Sequence, residues 1–316
     1  MPEDATRAEP AATESAATEH PVTERPATES AATEHRIGLP TGDELSMLVQ
    51  PGPPDSPVVM IWPALGMAAR KYRRFLAELV AAGLTAVAVD HRGFGASTPR
   101  IGRGSTVGYA DIVDTDFPAV VAELEGLFPG RPLVLLGHSI GGQTGIMYAA
   151  AAGEKLAGSV FIGVTTPWIR VYPGWLKLVP ALGTHAAAGL ASLIGYYPGD
   201  RLRFLGRQSK PLMHDWARFA RTGNFDAVGG AGHTERIRRL DTDLLVIDVE
   251  GDWMAPPAAV DDFCTRMPNA RITRWWAGAD ATSGRVVGHI AWINDGAVIA
   301  RRIADWVAQI TSRQGN

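Results

Sequence analysis

The sequence has very little cysteine and no recognisable secretory signal. Cys264 is the only cysteine in 316 residues, so no disulfide can form within the chain. A lone thiol fits a reducing compartment, and a cytoplasmic location is the expectation. The first residues also lack the basic segment and apolar core that mark a signal for secretion.

Charged side chains are missing from two long segments, 132–153 and 178–199. A membrane-spanning helix needs about 20 consecutive apolar residues. The second segment is interrupted by Pro180, Pro198 and several glycines, which break helices. We therefore expect no membrane contact and interpret this segment as a mobile, apolar part of a cap.

The overall charge excludes a strongly basic or acidic protein. The formal net charge is -3, with 46% hydrophobic and 20% charged residues, which is ordinary for a soluble globular protein. No nucleic-acid partner is expected. No group of His, Cys and Asp has the spacing of a metal site, so no metal or cofactor is predicted. A glycine-rich stretch, 102–108, lacks the Lys-Ser/Thr of a phosphate loop and is interpreted as a flexible loop.

Residues 1–36 form a low-complexity segment of Thr-Glu pentads, such as Ala-Ala-Thr-Glu-Ser. It offers no cluster of large apolar side chains to bury, so ordering it would cost conformational entropy without compensation. The sequence predicts a disordered tail here.

From residue 36 onward, short apolar runs alternate with amphipathic stretches, which predicts a mostly parallel, doubly wound α/β sheet. This alternation of strand and helix patterns stops between 165 and 240, where no clear strand is found and aromatic residues are frequent. We therefore predict a core in two parts, 37–164 and 241–316, with a helical cap inserted between them. The predicted strands are 36–40, 44–50, 58–62, 84–89, 133–138, 158–164, 243–248 and 271–276.

The most informative motif is Gly-His-Ser-Ile-Gly, residues 137–141, between a predicted strand and a predicted helix. A serine in so tight a turn has positive φ, and flanking glycines remove β-carbons that would clash. This motif resembles the nucleophile elbow of the α/β-hydrolases, and the resemblance implies Ser139 as the nucleophile. The turn also directs the Ile140 amide toward an anion forming beside the serine.

A serine hydroxyl needs a base, and the base needs an orienting acid. On this fold the order along the chain is serine, acid, histidine. His289 follows the last predicted strand in a glycine-rich loop and is the predicted base, whereas His214 and His233 fall in the cap.

Asp252 is the predicted acid, because it lies past the strand 243–248 in Glu-Gly-Asp-Trp-Met-Ala-Pro-Pro. Asp248 and Glu250 remain alternatives in the same turn. The second oxyanion donor is expected after the strand 58–62, where the turn reads Pro-Ala-Leu-Gly, and we predict the backbone amide of Leu65 as that donor.

These motifs together identify the chain as similar to the α/β-hydrolase superfamily over about residues 37–316. Within it, the sequence resembles uncharacterised bacterial serine hydrolases with Pro-Ala-x-Gly in the oxyanion turn and Ala-Pro-Pro after the acid. It departs from the commoner His-Gly pair in that turn. The resemblance implies a catalytic triad of Ser139, Asp252 and His289.

The cap suggests the substrate class. Its aromatic residues favour a hydrophobic small molecule, and the predicted substrate contacts are His138, Trp168, Trp175 and Trp216. Between 165 and 240 there are eleven Lys or Arg and four Asp or Glu, so the cap is basic. An anionic substrate, such as a CoA or carrier-protein thioester, is one interpretation, and a solvated helical surface is the other.

Three function classes follow. The first is a serine hydrolase of esters or thioesters. The second is an acyltransferase or cyclase with the same triad, and the third is a non-hydrolytic lyase or binding protein on this fold. The sequence does not indicate the oligomeric state.

Overall fold

The computed structural model describes residues 32–314. Most of the predicted tail, residues 1–31, lies outside the described residues. The strands are β1 (Thr33–Gly38), β2 (Glu44–Gln50), β3 (Val58–Trp62), β4 (Thr85–Val89), β5 (Leu133–His138), β6 (Gly158–Ile162), β7 (Tyr196–Pro198), β8 (Gly206–Ser209), β9 (Asp243–Val249) and β10 (Arg271–Ala277).

The helices alternate with these strands. They are α1 (Arg73–Ala81), α2 (Tyr109–Asp111), α3 (Phe117–Leu127), α4 (Ile140–Ala152), α5 (Thr184–Ile194), α6 (Gly199–Leu202), α7 (Lys210–Thr222), α8 (Asp226–Gly229), α9 (His233–Arg239), α10 (Pro257–Thr265), α11 (Gly288–Ala291) and α12 (Ala297–Gln314). A π-helical segment, Ile112–Asp116, joins α2 to α3, so that 109–127 is helical throughout.

Eight strands form one sheet in the order β1-β2-β4-β3-β5-β6-β9-β10. The pairs β1–β2 and β2–β4 are antiparallel, and every later pair in the sheet is parallel. The predicted α/β-hydrolase fold with a mostly parallel sheet is confirmed. Because parallel strands end at the same edge, the turns after β3, β5, β9 and β10 meet there, which is where ligands bind in open α/β sheets.

Alternate side chains of each central strand enter two separate cores. In β3, Met60 and Trp62 pack with α3 and α4, whereas Val59 and Ile61 pack with α1 and α12. All five residues of β3 and all six of β5 are buried. Strands covered on both faces read as continuous apolar runs, and these two therefore stand out in the sequence.

The chain between β6 and β9 covers the carboxyl edge of the sheet with helices and one small hairpin. Strands β7 and β8 form an antiparallel pair of their own, so the expectation of no strand in 165–240 was wrong. These strands are three and four residues long, too short to show an alternating pattern. At the other end, β1 begins at Thr33, inside the segment 1–36 that the sequence assigned to the tail.

One stretch of the cap, Gly174–Ile194, is long and apolar enough to cross a membrane by length and composition alone. In the fold, 28% of the 18-residue window that meets this criterion is buried, and the helix α5 of the stretch packs against α7.

Candidate active site

Ser139 lies in the turn between β5 and α4 with a strained backbone. Its φ is 56° and its ψ is -120°, values that a residue with a side chain rarely adopts and that cost about 1–3 kcal/mol. A backbone hydrogen bond fixes the turn to the neighbouring strand, because the Ser139 amide donates to the carbonyl of Ile162 in β6 at 3.1 Å. The hydroxyl is therefore presented at the carboxyl edge of the sheet.

The two glycines flanking Ser139 make room for this turn. A β-carbon at Gly137 would lie 2.4 Å from the Cα of Gly142, and one at Gly141 would lie 2.0 Å from the carbonyl oxygen of Trp62. Both contacts are with backbone atoms, which cannot move aside as a flexible side chain can. The pattern Gly-x-Ser-x-Gly is therefore a packing requirement at this position.

The structure brings Ser139, His289 and Asp252 together in one row. His289 Nε2 lies 2.9 Å from Ser139 Oγ, and His289 Nδ1 lies 2.7 Å from Asp252 Oδ2. An ionised carboxylate only accepts hydrogen bonds. Nδ1 therefore carries the proton and donates to Asp252, which leaves Nε2 of the neutral ring free to accept from the serine hydroxyl.

The structure distinguishes the three candidate acids by what each carboxylate contacts. The second oxygen of Asp252 accepts hydrogen bonds from the amides of Met254 and Ala255 at 3.0 and 2.9 Å, which fixes its orientation. Asp248 instead forms an ion pair with Arg274 at 2.6 Å, and Glu250 accepts the Ala279 amide at 2.8 Å. Only Asp252 of the three contacts His289.

Gly163 is a residue of this site that the sequence analysis missed. It follows β6 with φ of 59°, and a β-carbon there would lie 2.9 Å from Asp252 Oδ2 and 3.2 Å from His289 Nδ1. The absence of a side chain thus leaves space for the acid and the base to meet. A glycine at the end of the strand beside β5 was the available signal.

The turn after β3 faces Ser139 and contacts the cap. Leu65 and Ile140, the predicted oxyanion donors, line the same cavity as Ser139. Gly66 has φ of 79°, and a β-carbon there would lie 2.4 Å from the backbone of Leu205 in the β7–β8 loop. The turn is therefore packed closely between the elbow and the cap.

His138 does not contact the cavity, contrary to its predicted role in substrate binding. It is the last residue of β5, is fully buried, and points beneath the elbow. Its Nε2 donates to the carbonyl oxygen of His289 at 2.9 Å, so its Nδ1 accepts from the Tyr72 hydroxyl at 2.7 Å. Desolvation holds the pKa of His138 well below its usual value, with a smaller effect from the nearby His289.

Tyr72 extends this chain of hydrogen bonds to the turn after β3. Its hydroxyl oxygen accepts the amide of Ala64 at 3.2 Å while its proton goes to His138. Burial raises the pKa of Tyr72, so the phenol stays protonated and can donate. The backbone of His289 and the turn at Ala64 are thus joined through two buried side chains.

The cavity at Ser139 has a volume of about 690 Å³, within the range of small-molecule sites. Its walls come from the turn after β3, the elbow, the cap and the loop at His289. Its apolar lining includes Leu65, Met67, Phe94, Phe204, Trp216 and Ile290.

Of the three predicted tryptophan contacts, the structure places only Trp216 in the cavity. Trp168 packs against Gly223 and lies beside the guanidinium groups of Arg170 and Arg266, at 5.7 and 5.5 Å. Trp175 is 72% exposed. The sequence located these residues in the cap but not the direction of their side chains.

His91 supports the turn after β3 through a buried hydrogen bond. Its Nε2 donates to the carbonyl of Pro63 at 2.8 Å, and its ring packs edge-on against Trp62. Burial lowers the pKa of His91 to about 4, and the hydrogen bond to Pro63 opposes this shift only in part. The ring is therefore neutral in the folded protein at neutral pH.

We expect His91 to destabilise the folded protein as the pH falls. Between pH 6.5 and about 4 the unfolded chain takes up a proton at this position and the folded chain does not. Stability is therefore lost on acidification, by about 2 kcal/mol between pH 7.5 and pH 5. The measurement is urea unfolding of the wild type and His91→Gln across this range. Glutamine keeps a donor for Pro63 without titrating, so the difference between the two proteins should change by this amount. A constant difference would contradict the prediction.

No group of three or more His, Cys, Asp or Glu among residues 32–314 could hold a metal ion. At this edge of the sheet a hydroxyl, an imidazole and a carboxylate lie in line beside an apolar cavity.

The sequence matches a known family over most of its length. The family described as "Serine aminopeptidase, S33" matches residues 53–276, a span that includes the elbow and Asp252. His289 lies beyond the matched residues.

Individual relatives are distant but nearly complete in length. "Putative carbamate hydrolase RutD" of Variovorax paradoxus (strain S110) is 24% identical over 268 residues, covering 83% of this chain and 95% of the relative. A haloalkane dehalogenase DbeA loop variant from Bradyrhizobium elkanii superposes with a TM-score of 0.63 at 17% identity, covering 90% and 99%. An esterase from Rhodococcus sp. ECU1013 gives 0.52 at 20%, covering 89% and 99%. At these identities the two structures show a common fold.

Proposed function

Because the chain belongs to the family described as serine aminopeptidase, S33, and is a hydrolase on the α/β-hydrolase fold, we propose that it is a serine hydrolase with Ser139 as its nucleophile. The observation that carries this proposal is the row of Ser139, His289 and Asp252, with contacts of 2.9 and 2.7 Å. A base within hydrogen-bond reach of a hydroxyl, and an acid on its other nitrogen, is the arrangement that makes serine nucleophilic.

The proposed reaction is acyl transfer to water. Ser139 Oγ attacks a carbonyl carbon while His289 takes the hydroxyl proton, and Asp252 stabilises the resulting imidazolium. The amides of Leu65 and Ile140 are proposed to hold the tetrahedral oxyanion; loss of one such donor costs about 10²–10³-fold in rate. His289 then gives its proton to the leaving group, and water releases the acyl group by the reverse sequence.

The proposed substrate is a carboxylic ester or thioester of a hydrophobic small molecule. Leu65, Met67, Phe204 and Trp216 line the space next to Ser139, where an acyl chain would replace water. The relative from Variovorax paradoxus is named for a carbamate, which also presents a carbonyl carbon to a nucleophile.

A fluorophosphonate probe tests this proposal without knowledge of the substrate. The probe reacts only with an activated serine, so we expect one adduct on the intact protein and peptide mass mapping to Ser139. Ser139→Ala and His289→Ala should both lose the adduct, since the second variant keeps the hydroxyl but removes its base.

Absence of labelling in well-folded wild-type protein would overturn the proposal. So would labelling that survives in His289→Ala at the wild-type rate. Circular dichroism and thermal melts of all three proteins separate loss of the base from loss of the fold.

A further inference from the structure

A second depression adjoins the cavity at Ser139. It has a volume of about 400 Å³, and Phe94 and Asp200 line both spaces. Its floor is the loop 93–98, which follows β4, and its sides carry the side chains of Arg70, Arg100 and Arg207. The two spaces therefore adjoin at these two side chains, and we call their combined lining the arginine surface.

Positive charge is concentrated along this surface. The depression is lined by three arginines, and Lys71 and Arg203 line the cavity itself. Asp200 is the only carboxylate among the residues that line either space. Among the residues that line the two spaces, five cations and one anion leave a surplus of four positive charges, in a chain whose net charge is -3. The buried carboxylate of Asp90, which accepts the Ala96 amide of the floor loop, reduces this surplus.

The carboxylate of Asp200 forms ion pairs with two of the arginines. Its Oδ2 lies 2.9 Å from Arg207 and 3.4 Å from Arg100. Arg207 is also held over the ring of Tyr196, with its guanidinium carbon 4.8 Å from the ring centroid, and its side chain is 21% exposed. Arg207 is therefore fixed before any ligand binds, which lowers the entropy cost of binding.

The other three cations lie outside the cluster at Asp200, and one of them, Arg70, interacts with the buried carboxylate of Asp90. Within residues 32–314, Arg70, Lys71 and Arg203 form no ion pair, and all three are exposed. Isolated surface cations are usually only solvated. Here, however, Lys71 and Arg203 line the apolar cavity that contains Ser139, and Arg70 lines the depression beside it.

Resting on the function proposed above, we propose that the depression lined by Arg70, Arg100 and Arg207 binds the phosphate groups of the substrate, which is an acyl thioester of a phosphorylated pantetheine carrier. The acyl chain lies in the apolar cavity, and the phosphates lie among the arginines. A single carboxylate would neutralise only part of the surplus charge, whereas a phosphorylated carrier brings further negative charge and acceptor oxygens. Arginine is also the side chain best suited to phosphate, through paired N–H donors.

The reaction on such a substrate balances without a further reagent. Ser139 Oγ forms a bond to the thioester carbonyl carbon, the C–S bond breaks, and the sulfur leaves as a thiol with the proton from His289. Water then hydrolyses the acyl-enzyme to a carboxylic acid and free serine.

Binding of the thiol product tests this site without turnover. Isothermal titration calorimetry on the full-length wild type would compare coenzyme A, 4′-phosphopantetheine and pantetheine, which lacks phosphate. We expect coenzyme A to bind at least about tenfold more tightly than pantetheine, with an affinity that falls as salt rises. Arg70→Gln/Arg100→Gln should weaken coenzyme A binding by about tenfold or more and remove most of this salt dependence.

Arg301→Gln is the matched control, since it removes one exposed arginine of α12 that lines neither space. It should bind coenzyme A like the wild type. Equal affinities for coenzyme A and pantetheine would overturn the inference. So would a double variant that melts like the wild type and keeps its affinity for coenzyme A.

The two sources of a phosphorylated carrier are distinguished in the same experiment. If coenzyme A binds more tightly than 4′-phosphopantetheine, the result supports the phosphate site and indicates free coenzyme A thioesters as substrates. If the two bind equally, the result supports the phosphate site and indicates carrier-protein thioesters. Coenzyme A binding without fluorophosphonate labelling would contradict the proposed hydrolase and leave this site in place. Labelling of Ser139 with phosphate-independent binding would contradict only this inference.

Discussion

Asp252→Asn is expected to lower kcat/KM by about 10⁴-fold on any ester that the wild type cleaves. Asp252 Oδ2 accepts the proton of His289 Nδ1, and two backbone amides hold its other oxygen, so the carboxylate fixes both the ring orientation and the tautomer. Asparagine has nearly the same shape but can present an N–H to Nδ1. The ring would then carry its proton on Nε2, where it can no longer accept from Ser139.

Glu250→Gln provides the matched control for this variant. Glu250 lies in the same turn and loses its charge in the same way, but its carboxylate accepts the Ala279 amide and does not contact His289. We expect at most a few-fold change in kcat/KM. A loss in Glu250→Gln as large as that in Asp252→Asn would show that the charge of the turn matters and not the contact with His289.

The sequence alone does not determine which of the three neighbouring acids contacts the histidine. The elbow was recognisable because a strand, two glycines and a helix are contiguous, and the base because one histidine follows the last strand. Asp248, Glu250 and Asp252 fall within five residues, and spacing alone does not say which carboxylate faces the histidine. That choice is made by the backbone turn that Asp252 forms with Met254 and Ala255 and by the partners of the other two acids.

Side-chain direction limited the predictions in the cap in the same way. The sequence offers the same evidence for three tryptophans of the aromatic segment 165–240, namely Trp168, Trp175 and Trp216. Only Trp216 lines the cavity. His138 is next to Ser139 in the sequence, but successive residues around the elbow point to opposite sides, and its ring is buried under the site. Strand and helix periods predict which elements form, whereas these directions depend on packing between elements that are distant in the chain.

Gly141→Ala is expected to destabilise the protein by at least about 3 kcal/mol and to abolish fluorophosphonate labelling. The added β-carbon would lie 2.0 Å from the carbonyl oxygen of Trp62, so α4 and β3 must move apart. Those two elements carry Ile140 and the turn at Leu65, the proposed oxyanion donors. For a chain of this size the change corresponds to a melting temperature lower by about 6–12 °C.

Gly126→Ala is the control, because Gly126 also lies inside a helix but has no atom within 4 Å of its added β-carbon. Alanine is favoured over glycine in a helix, so this variant should match the wild type or gain up to about 1 kcal/mol, with labelling intact. Thermal melts and adduct mass on both variants make the comparison. If Gly141→Ala melts and labels like Gly126→Ala, the elbow glycine is not a packing requirement, and the tight contact between the nucleophile turn and β3 does not position the serine.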